Sequence, residues 1–212
     1  MVQTLAVLTG DIVASSALSA AKLRQLFSAH ERAIAKMQSW PGAPDLLVGS
    51  RYRGDGWQLV LGKPEWALRA ALFIRASIRM EDAAFETRIG VGIGGGTLDP
   101  SDIGASSGPV FERSGHSLDT LPKHFMFGID VGNGGADSTL FHSVFVMADA
   151  LSRGWTARQA EVFSFILAPD SPNQAEIGAA MRPPVSQPTV AEHYLVGNGP
   201  ALLDAIEAVE MK

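Results

Sequence analysis

Apolar positions along this chain follow two periods, and the change from one to the other divides it. Residues 4 to 9, "TLAVLT", open with a continuous apolar run of the kind a buried strand carries. Leu23, Leu26, Phe27, His30, Ala33 and Met37 then recur at steps of three and four. That spacing predicts a helix from 20 to about 40 with one apolar face, and Ser19 is a suitable cap. "PGAPD" breaks the chain. Residues 48 to 53 and 57 to 61 are rich in β-branched, aromatic and aliphatic types, and Gly54-Asp55-Gly56 splits them. The two glycines supply the positive φ of a tight hairpin. Pro64 suits the first position of a helix, and Ala67, Ala71, Ile74 and Ile78 give residues 66 to 80 one apolar face. "TRIGVGIGGGTL" reads as a glycine-rich strand. The order is βαββαβ, a ferredoxin-like split unit.

Residues 95 to 109 read as a loop, 111 to 118 as a short helix, "HFMFGIDV" as a fifth strand and "GNGGADS" as a boundary. Beyond it only helical texture follows, over 139–151, 156–167, 173–181, 188–195 and 199–211. The pattern therefore predicts an α+β domain over 1–135 and a small all-helical domain over 136–212. Within the second, "SPNQAEIGAAMRPPVSQPTVAEHYL" has the texture of a helix-turn-helix. Ser171 would cap the first helix, "RPPV" would make the turn, and Ser186, Gln187, Thr189 and Glu192 would line a recognition helix next to Arg182. Charge tempers this. From 151 to 212 there are four basic residues and seven acidic ones, whereas DNA binding draws on phosphate neutralisation. A structural or dimerising helical module is an equal alternative.

Composition narrows the class. At 46% hydrophobic and 18% charged over 212 residues, the chain is globular. It has no cysteine, which excludes disulfides and thiolate chemistry and fits a reducing cytoplasm. A net charge of −5 gives no general pull toward nucleic acid or anionic lipid. The opening residues look faintly like a signal peptide, but they lack a basic start and Asp11 interrupts the apolar run. No stretch is long enough to cross a bilayer.

Two aspartates sit in matching contexts. "VLTGDIVASS" puts Asp11 at the end of the first strand, and Asp55 occupies the hairpin tip. With the first strand beside the first strand of the hairpin, the two carboxylates lie side by side. Such a pair persists only when a cation or a proton is shared. Hard oxygen ligands suit Mg²⁺ or Mn²⁺ with a bound phosphate, and the small residues Ala14, Ser15 and Ser16 leave backbone N–H groups to meet phosphate oxygens.

"GDIVASS", "RYRGDGWQLV" and "RIGVGIGGG", in this order, resemble the class III nucleotide cyclase homology domain over roughly residues 4 to 118. The resemblance implies metal binding by Asp11 and Asp55, a backbone carbonyl to the metal from Ile12, a base contact from Arg51, and a site formed between two such domains, hence a homodimer. The block that should supply a base-selecting aspartate, an asparagine and an arginine departs from that pattern, placing Ala105, Glu112 and His116 there. Preorganised donors of this kind are often worth about a hundred- to a thousandfold in rate each. "SSGPVFERS", "WTARQAEVFSFIL" and "NQAEIGAAM", added to the first motifs, are similar to the SatD family of degenerate cyclase-like proteins with a C-terminal helix-turn-helix. The implied protein is a cytoplasmic regulator that binds a nucleotide, a divalent metal or both, with a helix-turn-helix as its candidate DNA reader. An active cyclase with unconventional catalytic residues and a non-enzymatic dimeric scaffold are the alternatives.

Other signals point to structure. "GVGIGG" lacks the helix that a dinucleotide fingerprint needs directly after its strand. It reads instead as a strand whose missing side chains let another backbone or a ligand approach. His30 lies on the apolar face of its helix and reads as a core histidine. His116, His124, His142 and His193 are too scattered for a metal site.

Overall fold

A five-stranded sheet in the order β2–β3–β1–β4–β5 organises the molecule. Its strands are β1 (Gln3–Ile12), β2 (Leu47–Tyr52), β3 (Gly56–Leu61), β4 (Thr87–Gly96) and β5 (Phe127–Asp130). The structure is a computed structural model that describes residues 2–52, 54–99, 102–132 and 135–211. Arg53 of the expected hairpin, and 133 and 134 of the expected boundary, lie outside those residues. The helices are α1 (Ala20–Gln38), α2 (Ala67–Arg79), α3 (Pro109–Asp119), α4 (Ala136–Ser152), α5 (Ala157–Ile166), α6 (Gln174–Ala180), α7 (Gln187–Val196) and α8 (Gly199–Glu210). The architecture is mixed α+β, and no helix among the described residues is long and apolar enough to cross a membrane.

The apolar run of β1 does not alternate because both faces of the strand are covered. Ala6, Leu8 and Ile12 pack with Trp57 and Leu59 under α1 and α2, while Leu5 and Val7 pack with Val60, Ile103 and Val110 on the α3 side. The neighbours of β1 are β3 and β4, both antiparallel. The hairpin therefore meets β1 through its second strand, not its first as expected, and β2 is the sheet edge. The crossover explains this. With β3 antiparallel to both, β1 and β2 run in the same direction, and α1 carries the chain across the strip that β3 then fills. β5 adds to β4 in parallel.

The glycines of β4 admit a helix backbone. A Cβ at Gly90 would lie 2.3 Å from the Leu118 amide nitrogen, and one at Gly92 would lie 2.3 Å from the Val110 carbonyl oxygen. α3 thus rests on the strand itself, and the Ser114 hydroxyl reaches that of Thr9 in β1 at 2.8 Å.

Residues 136–211 share their main core with the sheet. Phe145, Ala148, Trp155, Phe163, Leu202 and Ile206 belong to the same apolar cluster as Leu8 and Leu72. Arg75 of α2, fully buried, bonds Asp149 of α4 at 2.8 Å and Glu86 at 3.1 Å. A smaller cluster of Val162, Ile177, Met181 and Val190 holds α5, α6 and α7 together. Asn173, rather than Ser171, caps α6. Its Oδ1 accepts from the Ala175 and Glu176 amides, and the Glu176 carboxylate in turn accepts from the Asn173 amide.

Candidate metal and nucleotide site

Register brings the two aspartates together. Asp11 pairs across β1 and β3 with Gly56, the residue after Asp55, and across β1 and β4 with Arg88. Strand alternation turns Leu5, Val7, Thr9 and Asp11 to one face, the one α3 covers. Asp11, Asp55 and Asp119, the last residue of α3, line one cleft of about 460 Å³ together with Gln58, Ser106 and Phe111.

The cleft is electrostatically incomplete. Partial burial pushes the Asp11 carboxyl above the usual carboxylate range. The Arg88 guanidinium opposes that shift, while Asp55 and Asp119 reinforce it. Arg88 approaches Asp11 Oδ2 only to 3.7 Å and donates to the carbonyls of Leu118 at 3.3 Å and Leu121 at 2.7 Å. Asp11 Oδ1 and Arg88 Nε are buried with no partner among the described residues. Asp55 accepts a short hydrogen bond from the Ser15 hydroxyl. Ser15 begins a 3-10 turn, Ser15–Ala17, that follows Ala14. Ala14 is in the left-handed region at φ 53°, which costs a non-glycine residue about 1 kcal/mol. The first amides of such a turn have no partner inside it, and these belong to Ser15 and the exposed Ser16.

Other expected site residues are placed differently. Ile12 is 4% exposed with its side chain in the helix-side core, so only its backbone carbonyl could serve a cation. Arg51 shares strand parity with Leu47 and Gly49, which face α1. Its guanidinium lies 3.8 Å over the Phe27 ring and donates to the Gly54 carbonyl at 3.0 Å. Arg51 is thus on the opposite face of the sheet from the two aspartates. α3 turns Phe111, Gly115 and Leu118 toward the cleft, while Glu112 and His116 are exposed and do not line it.

Asp119 and Arg88 escaped the sequence reading. Asp119 follows Phe111 and Gly115 at steps of four, a signal that becomes useful only once Phe111 is known to face the cleft. Arg88 becomes a neighbour of Asp11 only through the β1–β4 register. Among the described residues, no group of three or more His, Asp or Glu is placed to hold a metal. The donor chemistry still fits a hard cation, because Mg²⁺ commonly takes one or two carboxylates and fills its remaining positions with water and phosphate oxygens.

The four residues expected to contact DNA lie around the α6–α7 connection. Ser186 caps α7, its hydroxyl 2.9 Å from that of Thr189, and Gln187 donates to Gln174 at 2.6 Å. The Arg182 amide donates to Glu161 at 2.9 Å, while the side chain is exposed. Arg158 is occupied within the fold, bonding Glu161 and the carbonyls of Arg182 and Pro183.

No protein-family model matches the chain, and no curated protein matches it, so the likeness to SatD stands on its motifs alone. Among solved structures the chain is similar to a bacterial light-regulated adenylyl cyclase, at 14% identity and a TM-score of 0.43, over 61% of this chain and 76% of that one. It is similar at 17% identity and a TM-score of 0.44 to the catalytic core of a rhodopsin-guanylyl cyclase with converted specificity in complex with ATPalphaS, over 66% of this chain and 80% of that one. The guanylate cyclase domain of RhGC from Catenaria anguillulae, in complex with GTP, is similar at 17% identity and a TM-score of 0.44, over 66% and 81%. Identities and TM-scores this low carry no argument about activity, and the functional case rests on the residues of the cleft.

Proposed function

We propose that the cleft between Asp11 and Asp55 binds a divalent cation, Mg²⁺ or Mn²⁺, together with a phosphate-bearing nucleotide. One observation carries the reading. Asp11 is held partly desolvated, with one carboxylate oxygen buried and unpartnered, beside two further carboxylates and a single distant guanidinium. A fold that builds this arrangement spends stability on it, and such uncompensated charge is characteristic of functional sites. In this reading β1 to β4 form the ferredoxin-like unit of a degenerate cyclase-type domain. Asp11 and Asp55 supply carboxylate oxygens, Ile12 supplies its carbonyl, and Ser15 orients Asp55. The Ser15 and Ser16 amides beyond Ala14 meet phosphate. A bound metal would acidify a ribose hydroxyl and hold leaving phosphates. With Glu112 and His116 exposed and away from the cleft, no side chain of α3 supplies the missing donors, and turnover is absent or very slow. Arg51 would reach a base only from a second copy or after rearrangement.

The wider proposal is a cytoplasmic, homodimeric regulatory protein in which α6 and α7 offer Arg182, Ser186, Gln187 and Thr189 to DNA. The exposure of Arg182 supports that part, and the acidity of the segment makes the binding weak and salt-dependent. An active cyclase is the second reading and a non-enzymatic scaffold the third.

Thermal denaturation with Mn²⁺ or Mg²⁺ and ATP or GTP tests the central claim, because a ligand that binds only the folded state raises its melting temperature. Wild type is expected to gain several degrees, and Asp11→Asn and Asp55→Asn to gain none. Without ligand, Asp11→Asn is expected to melt higher than wild type at neutral pH. The raised carboxyl pKa means that ionised Asp11 opposes folding above that pKa, and the amide removes the opposition. Equal shifts in all three proteins would sink the proposal.

A further inference from the structure

A second cavity, of about 370 Å³, lies between α1, the end of α2, and the end of α5 with the segment that follows it. It is remote from Asp11 and shares no lining residue with that cleft. Its size falls in the range of small-molecule sites, roughly 300 to 1,000 Å³. Ala33, Phe73, Phe165 and Ala168 line it with apolar surface, and Met80, 38% exposed, stands at its edge. Four charged residues also line it: Arg32, Lys36, Glu81 and Asp170. Arg32 and Glu81 neutralise each other at 2.6 Å. The Lys36 ammonium has no partner among the described residues, although Lys22 on the same helix is paired with Asp82. Lys36 and Asp170 are then the two charges left on an otherwise apolar lining, and a ligand with an apolar body and an anionic head can reach the ammonium, since Lys can lay its stem along apolar surface and present its charge at the mouth.

We propose that this cavity binds a small amphipathic anion, a medium-chain or aryl carboxylate or sulfonate, whose charged group pairs with Lys36. Bound there, the ligand bridges α1 and α2 of the sheet unit to α5 and to the segment that leads into α6. Its presence is thereby coupled to the position of α6 and α7. Asp170, the other unpaired charge on the lining, disfavours an anion and tunes the affinity downward.

The probe is 8-anilinonaphthalene sulfonate, titrated by fluorescence against the full chain and displaced with octanoate or octanol. Saturable binding is expected, with displacement by octanoate and much weaker displacement by octanol. Lys36→Glu is expected to weaken binding by about tenfold or more, the worth of a charge-assisted contact. Asp170→Asn is expected to tighten it. Lys123→Glu, which inverts an exposed charge elsewhere, is expected to leave it unchanged. Lys36 is exposed, so the variant folds, and an acid in the last turn of α1 costs only about 1–2 kcal/mol; a cooperative melting transition within a few degrees of wild type without ligand checks this. Absence of saturable binding, equal binding by Lys36→Glu, or equal competition by octanol would each overturn the proposal without touching the Asp11 cleft.

Discussion

Replacing Asp149 with alanine should destabilise the whole molecule, because Asp149 is the hub of a buried charge network that joins the sheet to the C-terminal helices. Asp149 and Arg75 are both fully buried. One carboxylate oxygen of Asp149 accepts from Arg75 at 2.8 Å and the other from the Met126 amide at 2.8 Å. Arg75 also donates to Ser152 at 2.7 Å and lies 3.9 Å over the Phe127 ring. The alanine variant leaves Arg75 with Glu86, which Arg79 already shares at 3.3 Å, and strands the Met126 amide. Breaking a buried pair from one side costs about 3–5 kcal/mol. The partly exposed Arg153, which also bonds Asp149, adds at most about 1 kcal/mol. For a chain of this size, about 2–4 °C per kcal/mol puts the drop in melting temperature at roughly 6–24 °C. Urea denaturation followed by circular dichroism measures it. Arg75→Met combined with Asp149→Leu should recover part of the loss, because apolar replacement of a whole buried pair is often neutral, while the Met126 amide stays unpartnered. A cost below about 1 kcal/mol for Asp149→Ala would refute the assigned role. Two separate unfolding transitions would refute the shared core and favour independent domains over 1–135 and 136–212.

Two further outcomes follow from the core. Burial holds the His30 imidazole down at about 4, against an ordinary 6.5, so the folded state binds fewer protons than the unfolded one across that interval. Stability is therefore full above pH 6.5 and lost as pH falls toward 4, by about 1.4 kcal/mol per pH unit and about 3 kcal/mol in all. His30→Leu should flatten that acid limb in pH-dependent denaturation, and an NMR titration placing His30 near 6.5 would contradict it. Gly92→Ala would put a Cβ 2.3 Å from the Val110 carbonyl and 2.6 Å from the Ser114 amide, both backbone groups of α3. The expected cost is about 1–3 kcal/mol, with a weaker cation response because Phe111 and Asp119 move with α3. An unchanged melting temperature would show that α3 does not rest on β4 as described.

The legible and the hidden parts of this molecule divide by the range of the interaction that decides them. The hairpin, the helix cap at Ser19 and the glycine-rich strand are set by neighbours in sequence, and the chain states them openly, whereas Ser186, expected to line a recognition helix, caps α7. Asp11 and Asp55 were also readable as a pair, since either strand of the hairpin beside β1 leaves the tip near the end of β1. The base contact of Arg51 came from resemblance, and the side of the sheet it occupies was not readable. In a strand, side chains alternate, and a residue's side is fixed by what covers Leu47 and Gly49, which the sequence does not say. Asp119, Arg88 and the partners of Arg75 required the packing of α3, β4 and α4, although an arginine inside "ALRAALFIRASIR" already marked a demand for buried acid. The two acidic centres then separate function from structure. Asp149 has both oxygens bonded, two arginines and no cleft, so its charge is consumed by the fold. Asp11 has one buried oxygen unbonded, one arginine at 3.7 Å and a cleft of about 460 Å³ in front of it. A fold able to satisfy Asp149 so fully shows what a structural carboxylate looks like here, and Asp11 differs from it in every respect that a ligand would correct.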